Sequence, residues 1–157
     1  MSNVIGAAVT TAITLVASTE KTILQIAAGA SQKVKVLRWG IFFNEETGDA
    51  TPAIPLLVKL GRHTTSSGTG SANTPKQVKK TSITLRTTAL DNFSAVATIT
   101  DVLDEAYVNA QTGYEVIFPM GQEVELDPSE TLSINVVPGA TISTGGLSCI
   151  AKIWFEE

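Results

Sequence analysis

The residues in this chain that could do covalent or metal chemistry are few. His63 is the only histidine and Cys149 the only cysteine of the 157 residues. A lone cysteine excludes an intramolecular disulfide framework and a multi-cysteine zinc site. A Ser or Cys nucleophile needs a histidine oriented by a carboxylate. His63 falls instead in a Gly-, Ser- and Thr-rich stretch, 61–75, where an exposed loop residue is expected rather than a fixed general base. Carboxylates cluster at Asp101, Asp104 and Glu105, and again at Glu123 and Glu125. The first group matches no calcium-loop spacing. In the second, alternation with Val124 and Leu126 describes the solvent face of a half-buried strand. The glycines between Gly61 and Gly70 lack the lysine and the strand-to-helix setting of a phosphate cradle. The residues therefore point to no catalytic site, no metal site and no cofactor.

The remaining chemical signal is charge distribution. Eleven Lys and Arg against fifteen Asp and Glu give a net charge of −4, which argues against a nucleic-acid partner. The charges are also segregated along the chain. Lys59, Arg62, Lys76, Lys79, Lys80 and Arg86 occupy a stretch without acids, whereas from 87 to 157 Lys152 is the one base. The functional reading is a basic patch, with Lys76, Lys79 and Lys80 at its centre, that meets an acidic surface on a neighbouring subunit or larger assembly. The alternative is a solvated surface with chance clustering.

The elements that must position these groups read as strands. Charged residues make up 17% of the chain, below the usual ~25%, and Val, Ile, Ser and Thr are plentiful, a composition that suits strands. No helical stripe extends beyond two turns. Strands are expected at 22–27, 33–43, 54–60, 94–100, 102–109, 115–118, 123–126, 131–137 and 146–155, separated by Gly, Pro, Asn and Asp turns. Within 33–43 the apolar face shifts from Val34 and Val36 to Leu37, Trp39, Ile41 and Phe43, as a β-bulge near Leu37 would produce. Pro52 and Pro55 suggest an edge position for the strand that follows. The stretch 61–75 reads as a long loop, and 76–91 as irregular with at most one short strand. In the last strand Leu147, Cys149, Ala151, Ile153 and Phe155 share one face, which puts the thiol in the core. Eight to ten strands at such spacings define an all-β chain, a single-domain antiparallel β-sandwich of jelly-roll type.

Residues 4–17 are uncharged and apolar, but no Lys or Arg precedes them and fourteen residues are too few to span a bilayer. A soluble chain is expected, organised as an N-terminal arm or first strand over 1–19 and a sandwich domain over 20–157. Left free, such an arm tends to pair with another chain. Val9, Thr11, Ile13 and Leu15 are the side chains expected to enter a groove on a partner, with pairing inside the chain's own sheet as the alternative.

Three blocks carry a resemblance. The run Lys33-Val34-Lys35-Val36-Leu37-Arg38-Trp39-Gly40-Ile41-Phe42-Phe43, then the loop ending Asn73-Thr74-Pro75, then Tyr107-Val108-Asn109-Ala110-Gln111-Thr112-Gly113-Tyr114-Glu115 with Phe118-Pro119-Met120-Gly121, resembles the small jelly-roll decoration, or cement, proteins of tailed bacteriophages. The likeness covers about 20–157 in order of segments. It implies a non-enzymatic protein, often a homotrimer, on the exterior of the virion capsid, bound to the major capsid protein, made in the host cytoplasm and needing neither nucleic acid nor membrane. Two alternatives stand beside it: another virion component, such as a head fibre base or tail protein, and a jelly-roll carbohydrate-binding module.

Overall fold

A computed structural model describes residues 3–45, 55–63, 68–79, 83–139, 142 and 146–157. Among them lie thirteen strands and no helix. In chain order the strands are β1 (Ile5–Val9), β2 (Ile13–Thr14), β3 (Lys21–Ala27), β4 (Val34–Glu45), β5 (Pro55–His63), β6 (Thr69–Asn73), β7 (Lys76–Gln77), β8 (Thr88–Ala95), β9 (Asp101–Asn109), β10 (Tyr114–Ile117), β11 (Val124–Leu126), β12 (Thr131–Val137) and β13 (Leu147–Glu156).

They form two antiparallel sheets. The seven-stranded sheet runs β10-β4-β13-β1-β7, with β11 also on β4 and β2 also on β13; the six-stranded sheet runs β6-β8-β3-β12-β5-β9. Trp39, Ile41, Ile153 and Phe155 from the first meet Leu24, Ile26, Leu60 and Ile134 from the second in one core. This is a β-sandwich, as the strand-length periodicities predict. Four antiparallel pairs are nested in sequence: β5 with β9, outside them β4 with β10, then β3 with β12, then β1 with β13.

Local sequence accounts for the register. Along β13 the core face carries Leu147, Cys149, Ala151, Ile153 and Phe155, all buried, and the period of two turns Ile150, Lys152 and Trp154 outward. On β4 the cross-strand partner changes from Phe155 at Val36 to Trp154 at Arg38. Leu37 is the unpaired residue, so the bulge lies where the apolar phase changes.

Several expectations need correction. β5 is no edge strand, since β12 and β9 flank it; Pro55, its first residue, pairs only towards β9, at Asn109, where a missing N–H is tolerated. The stretch 61–75 is not one loop: β5 continues to His63 and β6 occupies Thr69–Asn73. The stretch 76–91 holds β7 and the start of β8. Strand structure ends at Ala95, and 96–100 instead crosses the outer face of the six-stranded sheet. There the Ala97 N–H donates to Thr22 Oγ1 (2.8 Å), Asn135 Nδ2 donates to the Ala97 carbonyl (3.2 Å), and Ile99 fills the space that a side chain at Gly61 would need. That cover explains why β3 and β12 are buried on both faces.

The N-terminal segment is an intramolecular strand. β1 pairs with β13 from Ile5↔Glu156 to Val9↔Lys152, and β2 pairs with the start of β13. A strand inserted between β13 and β7 covers the apolar edge that a free arm would expose.

Candidate functional site

The two sheets differ in what lies outside them. Nothing in the described chain corresponds, on the outer face of the seven-stranded sheet, to the 96–100 cover of the other sheet. Cross-strand register builds this face in rows. One row runs Lys76, Ala7, Trp154, Arg38, Ile117, and the next Val9, Lys152, Gly40, Glu115; Ile150 and Phe42 follow. The Arg38 guanidinium lies 3.5 Å over the centre of the Trp154 ring, and Lys152 Nζ 4.8 Å from that of Phe42. Glu115 forms ion pairs with both cations, at 2.7 Å from Lys152 and 3.8 Å from Arg38. Gly40 leaves the gap through which these side chains meet: a Cβ there would lie 3.2 Å from the Phe42 ring and 3.3 Å from Glu115 Cβ. Around this charged centre Val9, Ile117 and Ile150 are exposed, Ile117 by 67%. Aromatic and arginine side chains held rigid among exposed aliphatic ones make a surface suited to a protein partner.

At the edge of the same sheet a cleft of about 450 Å³ is lined by Ala7, Val9, Thr11, Asn73, Lys76 and Asp91 among others. Asn73 shapes it, donating from Nδ2 to the Val9 carbonyl (3.0 Å) and to Asp91 Oδ2 (2.7 Å). Three of the residues expected to meet a partner, Val9, Thr11 and Lys76, are thus brought together. Lys79 is exposed nearby in sequence, and neither Lys76 nor Lys79 forms an ion pair with a described residue. Lys80 lies outside the described residues. Ile13 and Leu15 do not join the group. Both are buried in the chain's own core, because β2 lies against β13 and turns Ile13 inward beside Cys149; they cannot enter a groove on a partner.

Sequence reasoning singles out none of Arg38, Phe42, Glu115, Ile150 and Lys152 for this face. For two of them the signal is present, since Ile150 and Lys152 are, with Trp154, the outward phase of the same alternation that defines the β13 core face.

His63 requires the largest correction. It is buried, 2% exposed, at the end of β5, because cross-strand pairing sets it beside Thr131 on the polar, covered face of the six-stranded sheet. Thr131 Oγ1 lies 2.8 Å from His63 Nδ1 and donates to the His63 carbonyl (3.1 Å). Ser133 Oγ lies 2.8 Å from Nε2 and accepts from Gln25 Nε2 at 3.1 Å. A Ser–His contact of this length has the distance of a nucleophile and its base. Ser133 is, however, fully buried, and a threonine hydroxyl stands where a carboxylate would orient the ring. The cluster joins β3, β5 and β12.

The charge segregation is compensated only in part inside the chain. From the basic stretch Arg62 lies 3.9 Å from Glu130 and Lys59 is the cross-strand partner of Glu105, while outside it Lys33 meets Asp127 (2.8 Å) and Lys35 meets Glu125 (3.5 Å). Asp104 accepts from the Tyr114 hydroxyl at 3.3 Å; burial, and then that carboxylate, raise the phenol above its ordinary range. Among the described residues no three His, Cys, Asp or Glu side chains converge as a metal site would require. Burial pushes the Cys149 thiol up to about 12, which removes thiolate reactivity near neutrality.

No family model, no curated protein and no solved structure matches the chain.

Proposed function

We propose that this chain is a virion structural protein of a tailed bacteriophage, a decoration protein that binds the outside of the major capsid protein lattice and stabilises it. The observation that carries this reading is the outer face of the seven-stranded sheet, which no described segment covers and where Val9, Ile117 and Ile150 surround the Arg38–Glu115–Lys152 cluster and the stacked Trp154. A surface of exposed aliphatic side chains around a charged and aromatic centre suits a broad protein partner better than a small substrate. The nested strand pairs agree with the jelly-roll expectation, since rolling up one long two-stranded ribbon yields that order. The segment likeness described above supplies the phage assignment, and with it a homotrimer on the capsid exterior.

The carbohydrate-module alternative has less support. Trp39 is fully buried against Tyr114, which removes one of the two indoles as a stacking platform, and Arg38 already occupies one face of the other, Trp154.

The test is co-sedimentation of the purified protein with empty capsids of the phage that encodes it, using wild type and Ile150→Glu. Binding by the wild type and loss by the variant are expected. A wild type that stays in the supernatant at capsid-saturating concentration would overturn the reading.

A further inference from the structure

The two ends of the sandwich carry opposite charge. One end is formed by β9 and β10, the last strands of their sheets, tied by the hydrogen bond from Tyr114 to Asp104; the other is formed by β6 and β7, tied through Asn73 to β1. Strand β9 carries Asp101, Asp104 and Glu105 and no base, and none of the three forms an ion pair with a described residue. Behind it on β5 stand Lys59 and Arg62, and Arg62 is engaged with Glu130. Among the described residues β9 has no neighbour on its outer side, which leaves a nine-residue row of main-chain groups open to a further strand. Val102 and Tyr107, 53% and 75% exposed, flank its acids. The opposite end presents Lys76, which lines the 450 Å³ cleft with exposed Val9 and Thr11, and Lys79, three residues further along the same edge and directed away from the cleft by the β1–β7 register; both are exposed and free of ion pairs to described residues. Asp91, the acid in that cleft, is held by Asn73.

We infer that a second copy of this chain occupies the cleft, the acidic β9 edge of one protomer docking on the Lys76–Lys79 end of the next. Charge complementarity selects this occupant and this geometry. Pairing β9 with β9 of another copy would set Asp101, Asp104 and Glu105 against their own kind, and pairing the two basic ends would repeat the fault; head-to-tail contact joins opposites. Because the two edges lie at opposite ends of the sandwich, each protomer can use both at once. Such a heterologous contact closes into a ring when the rotation between copies allows it. The inference gives a geometry to the trimeric expectation without resting on capsid binding.

The test uses purified full-length protein without capsids, with assembly followed by sedimentation equilibrium at low and high salt. Wild type is expected to self-associate, more weakly as salt rises. Lys76→Glu with Lys79→Glu, and separately Asp101→Lys with Glu105→Lys, should each weaken association by about tenfold or more. The chain carrying all four substitutions, its charges exchanged between the ends, should reassociate. Circular dichroism checks that each variant is folded, and Lys76→Gln with Lys79→Gln provides a milder arm if a reversal is not. A wild type that stays monomeric at low salt, association unmoved by the substitutions at either end, or a folded quadruple variant that remains dissociated would each overturn the inference.

Discussion

The ring of Phe155 lies across the backbone of Gly6. The two are cross-strand partners in β13 and β1, and a Cβ built on Gly6 would stand 2.5 Å from Phe155 Cζ and 2.7 Å from Cε2. Phe155 is fully buried, so the ring cannot swing aside to make room. Gly6→Ala is expected to destabilise by about 1–3 kcal/mol through overpacking, read as a lower urea midpoint. Adding Phe155→Leu should recover part of the loss. An unchanged midpoint in the single variant would mean that the ring does not occupy this place.

His63 ties β5 to β12 through Thr131 and Ser133. His63→Ala removes both contacts and leaves buried hydroxyls short of a partner, at an expected cost of about 1–3 kcal/mol. Thermal melting checks this. A variant as stable as wild type would contradict the buried placement.

Cys149 should behave as a buried apolar group. Its thiol is raised from 9.0 to about 12 by burial, so the folded state favours the protonated form. The associated stability is present below pH 9 and is lost as pH rises towards 12, because the unfolded chain ionises first. An aromatic disulfide reagent at pH 8 should label Cys149 only as fast as the protein unfolds. Rapid stoichiometric labelling of the native protein would refute this.

Deletion of residues 2–18 should abolish the cooperative melt. It removes β1, which pairs with β13 along five residues, and the buried side chains of Ala8, Ile13 and Leu15. Circular dichroism and calorimetry decide the matter. A truncated chain with the wild-type melting temperature would show that the segment is a dispensable arm.

Lys33 holds the Asp127 carboxyl below its usual range, chiefly through the side-chain hydrogen bond and then through its charge. A lowered carboxylate favours the fold at higher pH and loses that effect on acidification. Both partners are largely exposed, so solvent screens the pair. Lys33→Gln is expected to move the Asp127 titration, followed by NMR, upward towards the ordinary carboxylate range with the melting temperature unchanged.

Periodicity made the sandwich legible wherever a strand is half-buried. The alternation of Leu147, Cys149, Ala151, Ile153 and Phe155 marks both faces of β13, and the apolar phase change around Leu37 marks the bulge in β4. Where both faces are covered, or where a strand has two or three residues, the signal fails. β2 and β7 are too short to carry a period, and β6 lies in a run of small polar residues whose composition reads as loop.

Local pattern by itself determined the all-β character, the inward face of the last strand, the burial of Cys149 and the presence of both an apolar N-terminal segment and an uneven spread of charge. Only the tertiary structure decided what those features meet. His63 is buried because β5 pairs with β12 and the 96–100 segment covers that face, contacts with residues more than thirty positions away. Lys33, Lys35 and Arg62 meet late acids because antiparallel pairing brings distant segments side by side, and the N-terminal strand finds its partner at the far end of the chain. Periodicity reports which way a side chain points within its own strand; the neighbour across the sheet is set by long-range register and by what packs over each face, and no local pattern encodes either.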